Sequence, residues 1–424
     1  MLIEFSVTNY RSFLGTQCLS MAAGSKAEPL VENTFEAPTT GKLRLLRSAV
    51  IYGPNAAGKS NLVKALAFVR EFILNSSKER QEGESIERTP FLLNADSKNQ
   101  PSEFEIFFIQ NGVRYQYGFA CTEDRVTSEW LLVYPKNRAQ RWLERNFDPE
   151  TKQEDWDFGI NFKGSKKTWK ESTRPNALFL STAIQLNCEQ LKPILQWFKK
   201  LVVIEHGDLM GDEFSASCCE DLAKKDRILT FVQNADIQIS NIVVEEEKIS
   251  PEDIPFPKDM PNEIKRVIKK DLDGRTIKRV NFLHKTSDPS GDVPMDIEDE
   301  SDGTLKLFSY AGPLMDIMEQ GRVLVVDEFN NSFHPLIIEY LLKIIHNDEM
   351  NRANGQLIFT THDTSLLDQD ILRRDQVWFM EKDENQDSTL YSLLEFKPRK
   401  NEALRRGYIQ GRYGALPYIG EVRF

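Results

Sequence analysis

The stretch YGPNAAGKSN, residues 52–61, decides how this chain folds. It fits the pattern G-x-x-x-x-G-K-[ST], which runs from Gly53 to Ser60. In proteins with this pattern, backbone N–H groups of a glycine-rich loop surround nucleotide phosphates, and the lysine reaches the β- and γ-phosphates. The loop alone does not say what the bound phosphate is used for.

The residues on both sides of the loop predict the strand and the helix that a true phosphate loop requires. Residues 47–52 are predicted to form a short strand, and Leu62, Leu66 and Val69 recur at helical spacing. A chance match to the pattern is therefore the weaker interpretation. The residues that we assign to ATP binding are Asn55, Gly58, Lys59 and Ser60. The Ser60 hydroxyl is also a predicted ligand of Mg²⁺.

A second motif, RVLVVDEFNNSFHP, covers residues 322–335. Its continuous apolar run predicts a strand that is buried on both faces, and Asp327 and Glu328 follow at the carboxyl end. A carboxylate in this position coordinates Mg²⁺ in phosphate-loop enzymes, and a second one can accept a proton from the attacking water. We predict Asp327 as a Mg²⁺ ligand and Glu328 as the general base. A solvent-facing charge pair is the alternative, which the phosphate loop makes weaker.

Two further motifs supply candidate phosphate contacts. In FTTHD, residues 359–363, His362 follows the next predicted strand and is placed to contact the γ-phosphate, although a lone histidine there is usually a surface residue. In ESDGTLKLF, residues 300–308, Ser301 and Gly303 lie at the start of an apparent helix. Hydroxyl and N–H groups at a helix start can bind an anion, here one held by a second subunit. An ordinary N-cap by Ser301 is an equally good interpretation of this motif alone.

The composition limits the classes of protein to which this chain can belong. A chain of 424 residues suits two or three packed lobes, and its 40% hydrophobic and 28% charged residues are typical of globular proteins. The net charge of -11 argues against a protein that coats nucleic acid with its whole surface. The five cysteines lack disulfide or zinc spacing, and the first residues lack the features of a signal peptide. We expect a cytoplasmic protein with no membrane span.

The pattern of elements predicts an α/β fold in which helices flank a mixed or parallel sheet. We place the first lobe at 1–205, an insertion at 206–298, and the second lobe at 299–424. Short β segments from Glu103 to Tyr134 favour an antiparallel β lobe attached to the first lobe. Residues 146–175 are predicted to be a mobile or edge region, and the insertion is predicted to be mostly helical.

The order of these motifs resembles that of ABC-type ATPase heads, and within them the SMC/RecF-like heads. It is more closely similar to the AAA-labelled ATPases of bacterial phage defence such as RloA and AbiLi, with AriA of the PARIS system and PtuA of Septu as relatives. The resemblance is carried by residues 9–13, 53–60, 301–304, 327–335 and 361–363, and by the tail at 408–420.

This chain departs from the ABC pattern in two places. Its signature is a reduced Ser-Asp-Gly-Thr. No Q-loop is evident either, and we assign its Mg²⁺-coupled glutamine to Gln185 in LSTAIQLN.

The resemblance implies a head-to-head homodimer, or a higher oligomer, joined through its ATP sites. Residues 53–60 of one subunit would hold ATP, and Ser301 and Gly303 of the other would cap it. Hydrolysis would then release the two heads. It also implies a sensor or scaffold of anti-phage defence that controls a separate effector, a nuclease. We interpret the acidic runs at 296–300 and 368–370 as solvated loops rather than as a carboxylate cluster that binds metal. We therefore place no nuclease site in this chain.

Two alternatives stay open. A RecF-like DNA-repair ATPase would use the basic segments at 163–170 and 265–279 to contact DNA phosphates, although such charge runs are more often solvated faces. An ATP-gated scaffold would bind ATP with negligible turnover, although all the residue types for hydrolysis are present.

Overall fold

The chain forms two compact units. The computed structural model describes residues 1–24, 28–39, 41–79, 81–206, 212–248, 256, 260–272, 276–286, 291–331, 333–400 and 402–418. The first unit comprises Met1–Asp208 and Ile317–Phe424, and the second comprises Leu209–Asp316. The predicted insertion at 206–298 therefore falls mostly within the second unit, which extends further along the chain.

Strands and helices are numbered in chain order within the described residues. The strands are β1 Leu2–Thr8, β2 Gln17–Ser20, β3 Thr34–Glu36, β4 Arg44–Leu46, β5 Ser48–Tyr52, β6 Ser102–Gln110, β7 Val113–Cys121, β8 Val126–Tyr134, β9 Gln140–Asp148, β10 Gln153–Asp157, β11 Leu201–Ile204, β12 Asn241–Lys248, β13 Thr276–His284, β14 Val293–Asp296, β15 Val323–Val326, β16 Gln356–Thr360, β17 Val377–Lys382 and β18 Ser388–Ser392. The α-helices are α1 Lys59–Asn75, α2 Lys166–Glu171, α3 Phe179–Gln185, α4 Lys192–Lys200, α5 Asp212–Cys218, α6 Leu222–Gln233, α7 Asn262–Leu272, α8 Asp302–Gln320, α9 Pro335–His346 and α10 Leu404–Ile409.

A six-stranded sheet carries the predicted motifs of the first unit. Its order is β11-β15-β16-β5-β17-β18, and every neighbouring pair is parallel except β17 with β18. Strands β5, β15 and β16 are buried along their whole length, as expected for parallel strands covered on both faces. The carboxyl ends of parallel strands meet at one edge of a sheet, so the residues after β5, β15 and β16 come together there.

A second, antiparallel sheet belongs to the same unit. Its order is β10-β9-β8-β7-β6-β1-β2, so the predicted hairpins of 103–134 pair with the first strand of the chain. Along β6, buried side chains such as Phe104, Ile106 and Phe108 alternate with more exposed ones. Strand β10, which pairs with β9, forms one edge of this sheet and lies within the region 146–175 that was predicted to be mobile or to lie at an edge.

Helix α1 follows the phosphate loop, as predicted. Its apolar side chains, including Leu62, Leu66 and Phe72, are buried in the core cluster that also contains residues of both sheets. The aromatic rings of Phe68 and Phe72 stack with centroids 5.6 Å apart, and Phe72 also lies 5.4 Å from Phe119 of the antiparallel sheet. Packing of this helix therefore fixes the start of α1 relative to the strand ends.

The second unit combines helices with the three-stranded antiparallel sheet β12-β13-β14. Helix α6 begins at the N-cap Asp221, whose carboxylate accepts hydrogen bonds from the backbone N–H groups of Ala223 and Lys224. The proline-punctuated segment at 250–261 lies almost entirely outside the described residues, as do Ser332 and the end of the tail motif. The predicted α/β fold, in which helices flank a mixed sheet and an antiparallel sheet is attached, is confirmed. The segment predicted to be a mostly helical insertion contains the strands β12 to β14 as well as helices.

Candidate functional site

The phosphate loop connects β5 to α1 through a backbone that requires glycine at its ends. Gly58, the N-cap of α1, has a φ of 113°, a conformation that L side chains rarely adopt. A Cβ at Gly58 would also lie 2.5 Å from the Ser388 Oγ atom, and one at Gly53 would collide with the Met380 carbonyl oxygen. The loop is thus packed directly on the β17–β18 hairpin, which holds its N–H groups at the start of α1.

The Lys59 ammonium group is buried at the centre of this loop. Its Nζ donates hydrogen bonds to the carbonyl oxygens of Gly53, at 2.9 Å, and Pro54, at 3.1 Å, and lies 3.1 Å from His362 Nε2. The side chain therefore folds back along the loop toward His362. This position is the one in which a lysine reaches the distal phosphates of a bound nucleotide.

Burial lowers the pKa of Lys59 to about 8, although the carboxylates of Asp327 and Glu328 act in the opposite direction. The two carboxylates follow β15, two strands away from β5 in the central sheet. Because the carboxyl ends of β5, β16 and β15 meet at one sheet edge, tertiary structure brings the second motif to the side of the sheet that carries the phosphate loop.

Asp327 and Glu328 occupy different environments although they are neighbours in sequence. Asp327 is buried, and its Oδ1 accepts a hydrogen bond of 2.6 Å from the Thr360 hydroxyl. Glu328 is partly exposed, and its backbone has the left-handed φ of 50°. The buried carboxylate suits a fixed metal ligand, and the more accessible one suits a group that exchanges protons with water.

Two side chains that were not predicted as site residues contact the Glu328 carboxylate. His206 Nδ1 lies 3.3 Å from Glu328 Oε2, and Asn331 Nδ2 donates a hydrogen bond of 3.4 Å to the same oxygen. His206 follows β11, which pairs in parallel with β15, so its strand end meets Glu328 at the same sheet edge. The parallel pairing of β11 with β15 would have predicted the contact of His206 with Glu328, but the sequence alone does not show which strands pair.

His362 lies beyond the end of β16, as its motif predicted. Burial, followed by the charge of Lys59, lowers the pKa of His362 below its usual value, while the two carboxylates oppose this shift. Because an ammonium group can only donate, Nε2 of a neutral His362 is the acceptor of the Lys59 bond. In the other neutral tautomer, Nε2 carries the proton and can instead donate a hydrogen bond to a phosphate oxygen.

A cleft of about 670 Å³ adjoins the outer side of the loop. Asn55, which is exposed, lines it together with His362 and Thr364. The opposite wall comes from the β17–β18 hairpin and from the C-terminal segment, which contributes Tyr408, Ile409, Leu416, Pro417 and Tyr418. The tail motif therefore borders the phosphate loop, a relation that the sequence alone did not reveal.

The candidate signature residues lie in the second unit. Ser301 is exposed, and its Oγ accepts a hydrogen bond of 3.2 Å from the Thr304 backbone N–H at the start of α8. This is the N-cap interaction that was considered for the serine, and Gly303 is half-buried beside it. The capping bond uses the hydroxyl as an acceptor and leaves its role toward a second subunit a prediction.

The position of Gln185 does not fit its assignment as the Mg²⁺-coupled glutamine. The start of α3 contacts residues just past the far end of α1, where Ser181 Oγ lies 2.9 Å from Ser77 Oγ. Helix α1 has 17 residues, or about 25 Å at 1.5 Å per residue. Gln185 is only one turn beyond Ser181, so it cannot reach a metal held at Ser60.

The arrangement around Lys59 fits a nucleotide with Mg²⁺. Ser60, half-buried in the first turn of α1, and the buried carboxylate of Asp327 are the hard oxygen ligands that Mg²⁺ prefers. Backbone N–H groups at the start of a helix can bind an anion, and α1 begins at Lys59, directly after the loop. Within the described residues, no group of three or more His, Cys, Asp or Glu side chains is arranged to hold a metal ion.

No described helix is both long and apolar enough to cross a bilayer.

Comparison with known proteins identifies a family. The family model described as "AAA domain, putative AbiEii toxin, Type IV TA system" matches residues 48–182 and 223–368, more than half of the chain. None of the curated proteins compared with the chain matches it.

Solved structures give weaker similarities. The SMC head domain of Thermotoga maritima is 11% identical with a TM-score of 0.40, and the match covers 92% of this chain and 98% of that one. An Smc head bound to the C-terminal winged-helix domain of ScpA is 12% identical with a TM-score of 0.41, covering 92% and 97%. The Smc head with an extended coiled coil bound to the C-terminal domain of ScpA, derived from Pyrococcus furiosus, is 10% identical with a TM-score of 0.35, covering 93% and 97%. We draw nothing further from similarities at this level.

The lowered pKa of Lys59 predicts that nucleotide binding takes up a proton at alkaline pH. With a pKa of about 8, the free protein has lost most of this proton at pH 8.5, and a bound phosphate restores it because anionic oxygens favour the charged form. Calorimetric titration with ATP and Mg²⁺ in two buffers of different ionisation enthalpy measures the uptake. We expect most of one proton at pH 8.5, and affinity that falls as pH rises above about 8.

Lys59→Arg is the matched control because arginine stays charged throughout this range. Its uptake at pH 8.5 should be close to zero. Equal uptake in the variant and the wild type would show that the proton goes elsewhere.

Proposed function

Because this chain belongs to the AAA-domain family just described, we propose that it binds ATP with Mg²⁺ and hydrolyses the nucleotide. The observation that carries the proposal is the meeting of Lys59, Asp327, Glu328 and His362 at one sheet edge, from motifs more than 260 residues apart in sequence. Few binding sites other than those for a nucleoside triphosphate need a buried lysine, a helix N-terminus and a carboxylate pair together.

Each residue has a defined part in this reaction. The N–H groups of the loop and the Lys59 ammonium would hold the β- and γ-phosphates, while Ser60 and Asp327 would hold Mg²⁺. The metal ion, when bound, neutralises charge that develops on the phosphate oxygens. Glu328 would accept the proton of the attacking water, and His362 would contact the γ-phosphate from the neighbouring strand end.

The Glu328→Gln variant tests the general base. Glutamine keeps the shape of the side chain but cannot accept the proton, so we expect kcat to fall by about 10²–10⁴-fold with ATP binding retained. Steady-state phosphate release and equilibrium ATP binding give the two readouts. Glu349→Gln, at an exposed position after α9, is the matched control and should hydrolyse ATP like the wild type.

Normal turnover in Glu328→Gln would rule out Glu328 as the base. ATP binding without measurable turnover in the wild type would instead favour the ATP-gated scaffold.

We also propose that the ATP site is completed by a second copy of the chain. Ser301 and Gly303 would cap the nucleotide that is held by residues 53–60 of the other subunit. The exposure of Ser301 at the start of the 19-residue helix α8 supports this role, because such a helix start can donate N–H groups to an anion. ATP would then join two heads across an interface that uses the same surface of each.

Mixing two inactive variants tests the shared site. Lys59→Ala damages the phosphate-loop half, and Ser301→Arg damages the capping half, so each homodimer has two defective sites. A mixed dimer keeps one intact site, and random pairing should restore about a quarter of the wild-type rate. Phosphate release after mixing, with dimers scored by size-exclusion chromatography with light scattering, measures this.

A mixture of Lys59→Ala with Asp327→Asn is the control. Both changes lie in the same half-site, so no intact site can form and the rate should stay low. The shared site is contradicted if Lys59→Ala mixed with Ser301→Arg gains nothing although mixed dimers are present.

At the level of the cell, we propose a sensor or scaffold of bacterial anti-phage defence that controls a separate nuclease. Support comes from the motif order, which resembles that of defence ATPases, and from the toxin–antitoxin wording of the family description. ATP-dependent joining of the heads would be the signal that the effector reads.

This role predicts that the chain, expressed with its neighbouring genes, lowers the plating efficiency of phage on a bacterial host. Protection should be lost in Lys59→Ala, and also when a neighbouring nuclease gene is deleted. Protection that survives that deletion would place the effector in this chain. No protection, combined with steeply salt-dependent DNA binding by the purified protein, would favour the DNA-repair alternative.

A further inference from the structure

Thr360 is the last residue of β16, the strand between the phosphate-loop strand β5 and the acidic strand β15. It is fully buried, and in the sheet it pairs with Ile51 of β5. On the other side of β16, Phe359 pairs with Val326 of β15. Asp327, the residue after Val326, therefore lies beside Thr360. The threonine thus lies between the two halves of the candidate ATP site.

The Thr360 hydroxyl makes two hydrogen bonds of opposite direction. It donates to Asp327 Oδ1 at 2.6 Å and accepts from the Glu328 backbone N–H at 2.7 Å. A hydroxyl has one donor and two acceptor positions, so both bonds can form at once. The directions are unambiguous because an ionised carboxylate only accepts and a backbone N–H only donates. One oxygen atom therefore connects the predicted metal ligand to the predicted base.

The bond to Glu328 supports an unfavourable backbone. Glu328 has a φ of 50°, in the left-handed region that is sterically unfavourable for a residue with a Cβ. Two further bonds close the same turn: Phe329 N–H donates to the Thr360 carbonyl at 3.1 Å, and Asn331 N–H donates to the Glu328 carbonyl at 3.0 Å. Because Cβ direction follows backbone conformation, this turn sets where the Glu328 carboxylate points.

We propose that Thr360 is a positioning residue that orients Asp327 and Glu328 together. Its hydroxyl fixes one oxygen of the metal-binding carboxylate and the backbone of the base, so both groups keep a constant relation to the phosphate loop. This inference rests on the proposed ATP hydrolysis. A misplacement of about 1 Å at a reacting centre can lower a rate by about 10²-fold, so one buried hydroxyl is enough to matter.

The test compares Thr360→Val, which keeps the shape but lacks the hydroxyl, with Thr360→Ser, which keeps the hydroxyl. We expect Thr360→Val to lower kcat by about 10–100-fold with a much smaller change in KM for ATP, and Thr360→Ser to restore most of the rate. Loss of the bond to Asp327 should also reduce the gain in ATP affinity that Mg²⁺ gives over EDTA.

Thr182→Val is the matched control. Thr182 is also buried, and its hydroxyl bonds to a backbone carbonyl, that of Leu178, in α3. This variant should have the kcat of the wild type. Thermal unfolding of each variant reports folding, and Thr360→Ala replaces Thr360→Val if the latter fails to fold.

Three results overturn the inference. One is a normal kcat in Thr360→Val or Thr360→Ala, and another is a loss in Thr360→Ser as large as in Thr360→Val. The third is an unchanged Mg²⁺ effect on ATP affinity in Thr360→Val, a readout that needs no turnover. Failure of the proposed function has a different signature, since the wild type would then lack ATPase activity or Glu328→Gln would retain it.

Discussion

A buried ammonium group is the constraint on which this site depends. Lys59 is removed from water at the loop, a position that disfavours its charge. Two carbonyl oxygens of its own loop accept its hydrogen bonds, and the carboxylates of Asp327 and Glu328 offset part of the cost. The loop conformation, the start of α1 and the end of β15 must therefore be correct together, because an error in any one leaves a buried charge without compensation.

The parallel central sheet makes this combination possible. Residues as far apart in the chain as Lys59 and His362 meet because β5 and β16 are neighbours with their carboxyl ends at the same edge. In the sequence, the second compact unit, Leu209–Asp316, lies between β11 and β15 of that sheet. Loop-closure entropy grows only slowly with length, so a long insertion is tolerated where it leaves the strand order intact.

The two carboxylates at the sheet edge have different surroundings, which suit their different proposed roles. Asp327 is held by a buried hydroxyl, whereas Glu328 is reached by an exposed histidine, His206, from a neighbouring strand. Within the low dielectric of the core, the bond between Thr360 and Asp327 selects one conformation because an unsatisfied alternative is costly. If the cap at Ser301 comes from a second copy, catalysis and association become one event, and the state of the nucleotide determines the state of the assembly.

The sequence by itself determined the local features: the strand, loop and helix around Lys59, the buried strand before Asp327, and the strand before His362. Each rests on periodicity or on a motif within about 20 residues. Tertiary structure decided the relations that depend on strand order and register. These are the hydrogen bonds of the Thr360 hydroxyl to Asp327 and Glu328, the contact of His206 with Glu328, and the distance of Gln185 from the loop. These relations join residues of different strands, and only the packing of whole sheets and helices brings them together or keeps them apart.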